Sequence, residues 1–306
     1  MNGITINALL NHTKNKCKHL FILSGNDAMI LKSLNIIVYL LVSMLFFSCS
    51  TNKQSSHYRG HLIIIGGGSR PEAVMQKFIQ LAGGEEARIA IIPTASSHYQ
   101  ESGKRCVEEM QNYGVQEARA FHILSQEQAN SDSMVNALQN YSGIFFGGGN
   151  QNRLTEFING TRTLQVLHKM YQEGKTLGGT SAGAAVMSSI MITGDGNWSI
   201  LQKDSVISTP GFGMLKEAII DQHFIARKRF NRLLNLVIQN KVDGIGIDER
   251  TALWVKPDLK VEVMGKSVVI HLDVDRTSCP TETDLSTLRA QNIMLNVYGK
   301  GDQFQL

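Results

Sequence analysis

Short, uninterrupted apolar runs, most of them halted by glycine or proline, recur from residue 61 onwards. His61 leads into Leu62, Ile63, Ile64 and Ile65, and the run ends at Gly66-Gly67-Gly68. Arg88 to Ile92 is stopped by Pro93, Gly143 to Phe146 meets Gly147-Gly148-Gly149, and Thr176 to Gly179 leads to Thr180 and Ser181. A run without polar alternation has no wet face, which is the pattern of a strand covered on both sides. Segments with helical spacing lie between these runs, at 72–81, around 103–113, at 132–139 and at 154–171, and another helix starts just after Ser181. Strands alternating with helices of about ten or more residues predict an α/β fold, a mainly parallel sheet flanked by helices on both faces.

Beyond residue 190 the texture changes. Residues 193–213 are rich in Gly, Ser and Thr without a clear period and read as loops near the site. A helix is expected over 227–239, a strand over 244–248, and short antiparallel strands and turns over 252–270.

The chain has 306 residues, 42% of them hydrophobic, with 28 glycines against 5 prolines. That suits one large domain of roughly 250 residues behind a leader. The apolar stretch 36–47 follows Lys32 and ends at Ser48-Cys49, the pattern of a signal peptide over 29–49. Phe46-Phe47-Ser48-Cys49 resembles a bacterial lipoprotein cleavage site, although that pattern prefers Leu where Phe46 stands. The expectation is therefore export, with a lipid anchor on Cys49 and a domain that is membrane-tethered, periplasmic or extracellular; an uncleaved membrane anchor is the alternative. Residues 1–28 read as a misassigned start, 50–59 as a polar tether, and 60–306 as a single catalytic domain. Of the net charge of +4, the first 48 residues carry +3, which leaves +1 for the rest and argues against a nucleic-acid partner. Cys106 reads as a packing residue, and it and Cys279 are the two cysteines left to pair in an oxidising compartment.

Gly179-Thr180-Ser181-Ala182-Gly183 fits G-x-S-x-G between a strand and a helix. In that setting a sharp turn lifts the serine hydroxyl above the sheet, and the next N–H, that of Ala182, is placed to meet an oxyanion. A hydroxyl needs a base with a pKa near neutrality, and His223 follows the apolar run 218–220 at an expected strand end. Glu249, after the strand 244–248, is the candidate to orient the imidazole, with Asp248 and Asp221 as competitors. Gly66-Gly67-Gly68-Ser69-Arg70-Pro71 lacks the G-x-G-x-x-G spacing of a dinucleotide site, with Pro71 at the last glycine position.

From about residue 60 to the end, these motifs together resemble the cyanophycinase and aspartyl-dipeptidase family of serine peptidases. The similarity includes Ile91-Ile92-Pro93-Thr94-Ala95-Ser96, Phe146-Gly147-Gly148-Gly149-Asn150-Gln151, Asp221-Gln222-His223-Phe224 and Gly246-Ile247-Asp248-Glu249-Arg250-Thr251-Ala252-Leu253. It is closer to the cyanophycinase branch, because Glu249 stands where the dipeptidases carry Asp and because Arg227, Arg229 and Arg232 follow the His segment. The resemblance implies a fold related to the class I glutamine amidotransferases and a triad of Ser181, His223 and Glu249. It implies an oxyanion hole from Ala182 with Gly148 or Gly149, and a substrate pocket lined by Gln151, Asp221, Gln222, Arg227 and Arg232. The implied reaction is hydrolysis of cyanophycin, a poly-aspartate whose side-chain carboxylates carry arginine, to β-aspartyl-arginine dipeptides, with no cofactor or metal. The family often forms homodimers. Asn150 departs from the Asp frequent at that place, which removes a charge.

Two other functions remain open from the sequence. One is a dipeptidase for short aspartyl or isoaspartyl peptides. The other is a catalytically silent surface binding protein on the same fold, against which three intact triad residues argue.

Overall fold

In the computed structural model, which describes residues 60–274 and 287–306, the burial of a single strand explains the architecture. Strand β1 (Leu62–Ile65) sends Leu62 and Ile64 into one apolar cluster and Ile63 and Ile65 into another, and all four are fully buried. Side chains alternate across a strand, so such a run is satisfied only between two covered faces. Each aliphatic side chain withdrawn from water contributes about 1.5–3 kcal/mol.

The parallel part of the main sheet runs β1, β5 (Thr176–Thr180), β4 (Gly143–Phe146), β2 (Arg88–Ile92) and β3 (Glu117–Ala120) in space. On the other side of β1 the pairing turns antiparallel, through β10 (Thr251–Val255), β11 (Lys260–Gly265) and β14 (Gln303–Gln305). One face is covered by α1 (Glu72–Leu81) through Val74, Met75, Phe78 and Ile79, and by α2 (Tyr99–Asn112) through Cys106 and Met110. The opposite face receives α3 (Gln126–Asn130), α4 (Asp132–Leu138), α5 (Gln151–Ile158) and α6 (Arg162–Gln172).

A second sheet was not expected. It holds β8 (Ala218–Gln222), β9 (Asp243–Ile247), β12 (Val269–Val274) and β13 (Ile293–Tyr298), in the order β13-β12-β9-β8. Only β8 and β9 are parallel in it. Ile220, Ile245 and Ile247 face the main core, while Ile219 and Leu272 pack under Leu233, Leu236 and Val237. Those three belong to α8 (Phe230–Asn240). The fold is thus α/β with a mixed, mostly parallel central sheet, and the two strands that lead to His223 and Glu249 belong to the smaller sheet.

Three other expectations change. The helix expected over 154–171 is two, α5 and α6, separated by a turn in which Gly160 has φ +74°. The loops expected over 193–213 contain a hairpin of β6 (Ile190–Gly196) and β7 (Val206–Pro210), whose register shifts between Ile192 and Gly196 and so erases the two-residue period. The helix expected from residue 227 begins at Phe230, because Lys228 takes φ +53° in a turn after His223.

Cys106 is buried as a free thiol whose pKa burial pushes up to about 12. Cys279 lies outside the described residues. The chain divides into two units, 1–56 and 57–306, and the first lies wholly outside them, as do the leader, Cys49 and the tether.

Candidate active site

The elbow is built by close contacts that only glycine permits. A Cβ on Gly179 would lie 2.4 Å from the Gly183 carbonyl oxygen, and one on Gly183 would lie 2.3 Å from that of Phe146. Strand and following turn are therefore pressed together, and Ser181 between them adopts φ +53°, ψ −111°. A non-glycine residue there stores roughly 1–3 kcal/mol of strain, held in place by the surrounding packing. The helix behind it, α7 (Ala182–Ala185), spans four residues, too short for an appreciable dipole, so any oxyanion stabilisation rests on individual N–H groups.

The base comes from the other sheet. His223 follows β8 with φ +51°, and its N–H donates to the Gly66 carbonyl at 2.7 Å, tying it to the end of β1. The ring lies over Gly67, where a Cβ would sit 2.3 Å from Cε1. Its Nε2 stands 2.9 Å from Ser181 Oγ, and its Nδ1 stands 2.6 Å from Glu249 Oε1. Glu249 is held near by the next residue, since the Arg250 N–H donates to the Gly67 carbonyl at 2.8 Å. The three glycines that read as a strand end also form the floor on which base and carboxylate rest.

Burial holds the His223 pKa below its usual 6.5, and the cations of Arg227 and Arg229 push the same way, against the hydrogen bond that the ring donates to Glu249. The imidazole is then neutral near pH 7. With the proton on Nδ1 shared to Glu249, Nε2 carries a lone pair toward the hydroxyl. Of the two competing carboxylates, Asp248 accepts from the N–H groups of Ile225 and Ala226 at 3.1 and 3.0 Å and from Ser267 Oγ at 2.7 Å. It secures the turn after His223 and does not touch the ring. Burial pushes its carboxyl up, but these bonds outweigh burial and hold it below its usual value.

Gly147 and Asn150 donate their N–H groups to the carbonyls of Ile92 and Ala95. Those of Gly148, Gly149 and Ala182 find no acceptor among the described residues. Gly148 also lies against the nucleophile, with a Cβ there 3.5 Å from Ser181 Cβ.

Beside Ser181 opens a cleft of about 320 Å³. Gln151, Gln222, Arg227 and Arg232 line it as expected, and Arg229, which the sequence left undecided, does so too. Asp221 does not line it. It is 1% exposed and faces inward, pairing with Arg232 through both oxygens, one of them 2.7 Å from Nε. A buried carboxylate is stable there because the guanidinium meets it edge-on. Asp221 therefore holds the arginine that faces the cleft. Arg229 donates to the Gln222 carbonyl at 2.6 Å and to its side-chain oxygen. Burial, with Arg232 beside it, lowers its pKa to about 10, still charged at neutrality. Arg227 is exposed, and its guanidinium has no hydrogen-bond or ion-pair partner among the described residues. Gln151 Nε2 donates to the carbonyls of Ile192 and Thr193, both at 2.8 Å, and so holds the β6–β7 hairpin at the cleft edge. Asn150 accepts the Asn152 N–H at 2.9 Å and caps α5.

The sequence put 193–213 near the site but singled out none of Thr193, Gly194, Asp195 and Trp198, which also line the cleft. Trp198 was the available signal: it is one of two tryptophans in the chain and lies in a polar segment with no core period. Among the described residues no group of three or more His, Cys, Asp or Glu side chains is disposed to hold a metal ion.

Residues 62–262 match the model of peptidase family S51. The chain belongs to peptidase family S51. This S51 enzyme is a serine peptidase, and proteins named cyanophycinase are among its relatives. That of Nostoc sp. (strain PCC 7120) is 32% identical over 253 residues, covering 80% of this chain and 85% of the relative. That of Geminocystis herdmanii is 32% identical over 256 residues, covering 81% and 94%. A crystal structure of a peptidase from an acI-B1 Actinobacterium has a similar fold, with a TM-score of 0.60 and 24% identity over 82% of this chain and 98% of that one.

Proposed function

We propose that this S51 peptidase hydrolyses cyanophycin, or its short aspartyl fragments, through an acyl-enzyme on Ser181. The observation that carries the reading is the unbroken line from Ser181 Oγ through the His223 ring to Glu249, at 2.9 and 2.6 Å. His223 Nε2 takes the hydroxyl proton as Oγ attacks the amide carbon. The tetrahedral oxyanion is met by the free N–H of Ala182 with that of Gly148 or Gly149, each such donor being worth about 3–4 kcal/mol in the transition state. The protonated imidazole, steadied by Glu249, gives its proton to the leaving amine, and the same ring then activates the water that releases the acid. Arg227 and Arg229 supply planar donors for the carboxylates that the arginyl branches carry along the chain, the aspartyl side-chain carboxylates being amide-bonded.

The cleft volume, about 320 Å³, is at the small end for ligand sites and suits one terminal unit of a polymer or a free dipeptide. The deciding experiment offers purified enzyme cyanophycin beside a panel of α- and β-aspartyl dipeptides, with product release followed by chromatography. Release of β-aspartyl-arginine from the polymer supports the first substrate. Turnover of dipeptides alone supports the second. Turnover of neither, with no labelling of Ser181 by an active-serine probe, removes the hydrolytic reading. Lipid attachment at Cys49 is a separate proposal, resting on the leader sequence and tested by incorporation of labelled palmitate.

A further inference from the structure

The cleft beside Ser181 has an uneven charge. Its cationic side is committed in part: Asp221 neutralises Arg232, and Arg229 is engaged by Gln222 and lies 3.7 Å from Asp221. Among the described lining residues the one carboxylate is Asp195. It stands in the β6–β7 hairpin between Gly194 and Gly196, both with positive φ, where the register of the two strands breaks. Its backbone is fixed, since its N–H donates to Thr193 Oγ1 at 3.1 Å, and Thr193 in turn donates to the Ile207 carbonyl. Its own carboxylate has no hydrogen-bond or ion-pair partner among the described residues. Trp198 stands in the same cleft wall, 37% exposed, with the Arg232 guanidinium 5.7 Å from its ring centroid.

We infer that Asp195 is the specificity-determining carboxylate of this site and receives a guanidinium carried by the substrate. The inference rests on the cleft being the substrate site proposed above, and it assigns a residue to the cationic part of that substrate. The Asp195 side chain is exposed at the cleft edge on a fixed backbone, so its carboxylate is free to turn toward a cation, and a planar guanidinium can give it two parallel hydrogen bonds. The Trp198 indole, which lines the same cleft, offers an aromatic surface to such a group. The two walls then match a ligand with charges of both signs, its carboxylate toward Arg227 and its guanidinium toward the hairpin. Asn150, at the same cleft, is neutral and caps a helix, so it does not duplicate the charge.

Binding tests this without turnover. In the Ser181→Ala protein, calorimetry compares β-aspartyl-arginine with β-aspartyl-citrulline, which has nearly the same shape and no charge. The arginine ligand should bind about tenfold tighter or more, the scale of a charged hydrogen bond. Adding Asp195→Asn should bring the ratio close to one while leaving thermal unfolding unchanged, and Asp195→Glu should restore part of it. An unchanged ratio in Asp195→Asn overturns the inference, as does the absence of any arginine preference in the parent. If the arginine preference depends on Asp195 but wild-type enzyme leaves cyanophycin intact, the polymer reading falls and this one stands.

Discussion

Gly67 and the His223 imidazole compete for one volume: a Cβ on residue 67 would lie 2.3 Å from Cε1 and 2.4 Å from Nε2. The backbone there has φ +110°, which disfavours any side chain. Gly67→Ala must displace the ring from Ser181, and a shift of about 1 Å in a reacting group costs on the order of 100-fold in rate. We expect kcat to fall by at least that factor with far-ultraviolet circular dichroism retained. A variant as active as wild type would mean that the ring does not work from this position.

Removal of the three aligned side chains should be unequal. Ser181→Ala and His223→Ala are each expected to lower kcat by about 10⁶-fold, and Glu249→Ala by about 10⁴-fold, because the imidazole still functions poorly without its orienting partner. Steady-state hydrolysis of whichever of the two proposed substrates the wild-type enzyme turns over provides the check. A Ser181→Ala enzyme that keeps wild-type turnover would end the proposed mechanism.

The pH profile follows from the environment of His223. Its proton-accepting form is neutral, and its pKa lies below 6.5, so kcat/KM should be full at neutrality and fall as pH drops through that lower value. Arg227 contributes to the depression, so Arg227→Gln should move the acid limb upward. Glu249 opposes it, so Glu249→Gln should move the limb downward. Limbs moving in the reverse senses would show that these charges do not govern the ring.

Asp221 and Arg232 are 1% and 2% exposed, so cutting Asp221 leaves the Arg232 charge without its carboxylate in the interior. Asp221→Ala should cost about 3–5 kcal/mol, a fall in Tm of about 10 °C. The double variant Asp221→Leu, Arg232→Met should regain most of that stability without regaining substrate affinity. A single variant with unchanged Tm would show that the pair is not structural.

Asp248 should behave as a positioning residue. Asp248→Ala frees the N–H groups of Ile225 and Ala226 and loosens the turn that starts at His223. The expected result is a fall in kcat of about tenfold or more with little change in KM, since misplacement affects the reacting geometry more than ground-state contacts. Equal losses in both parameters would point to a general collapse of the site.

Elements with a strong local signature were legible in the sequence. Strands β1, β2 and β4 and helix α1 were read within a residue of their ends, because uniform burial leaves an apolar run and an amphipathic face leaves a helical period. Ser181 and His223 were legible because each follows such a run, whereas spacing left Glu249 open against Asp248 and Asp221 and only the family resemblance favoured it. Strand β3 was not, since Glu-Ala-Arg-Ala at a sheet edge is half wet and has no strand pattern. The second sheet was hidden for another reason: β8 and β9 look locally like any parallel pair, and only long-range pairing shows that they leave the main sheet. Asp221, which the resemblance put in the pocket wall, is buried and paired with Arg232 instead, and the direction of a side chain is not something its sequence position gives. Trp198 and Asp195 were missed because a shifted register leaves no period to read.

The nucleophile and its base are carried by different sheets, which meet along a seam where His223 is bonded to Gly66. Turnover is thus a gauge of how well one layer is seated on the other. A slip of an ångström would interrupt the proton path well before the core that Ile220, Ile245 and Ile247 share with the main sheet came apart. On gentle warming, activity should therefore fade before helix and strand content does, and crosslinks that stitch the layers together should postpone that silence.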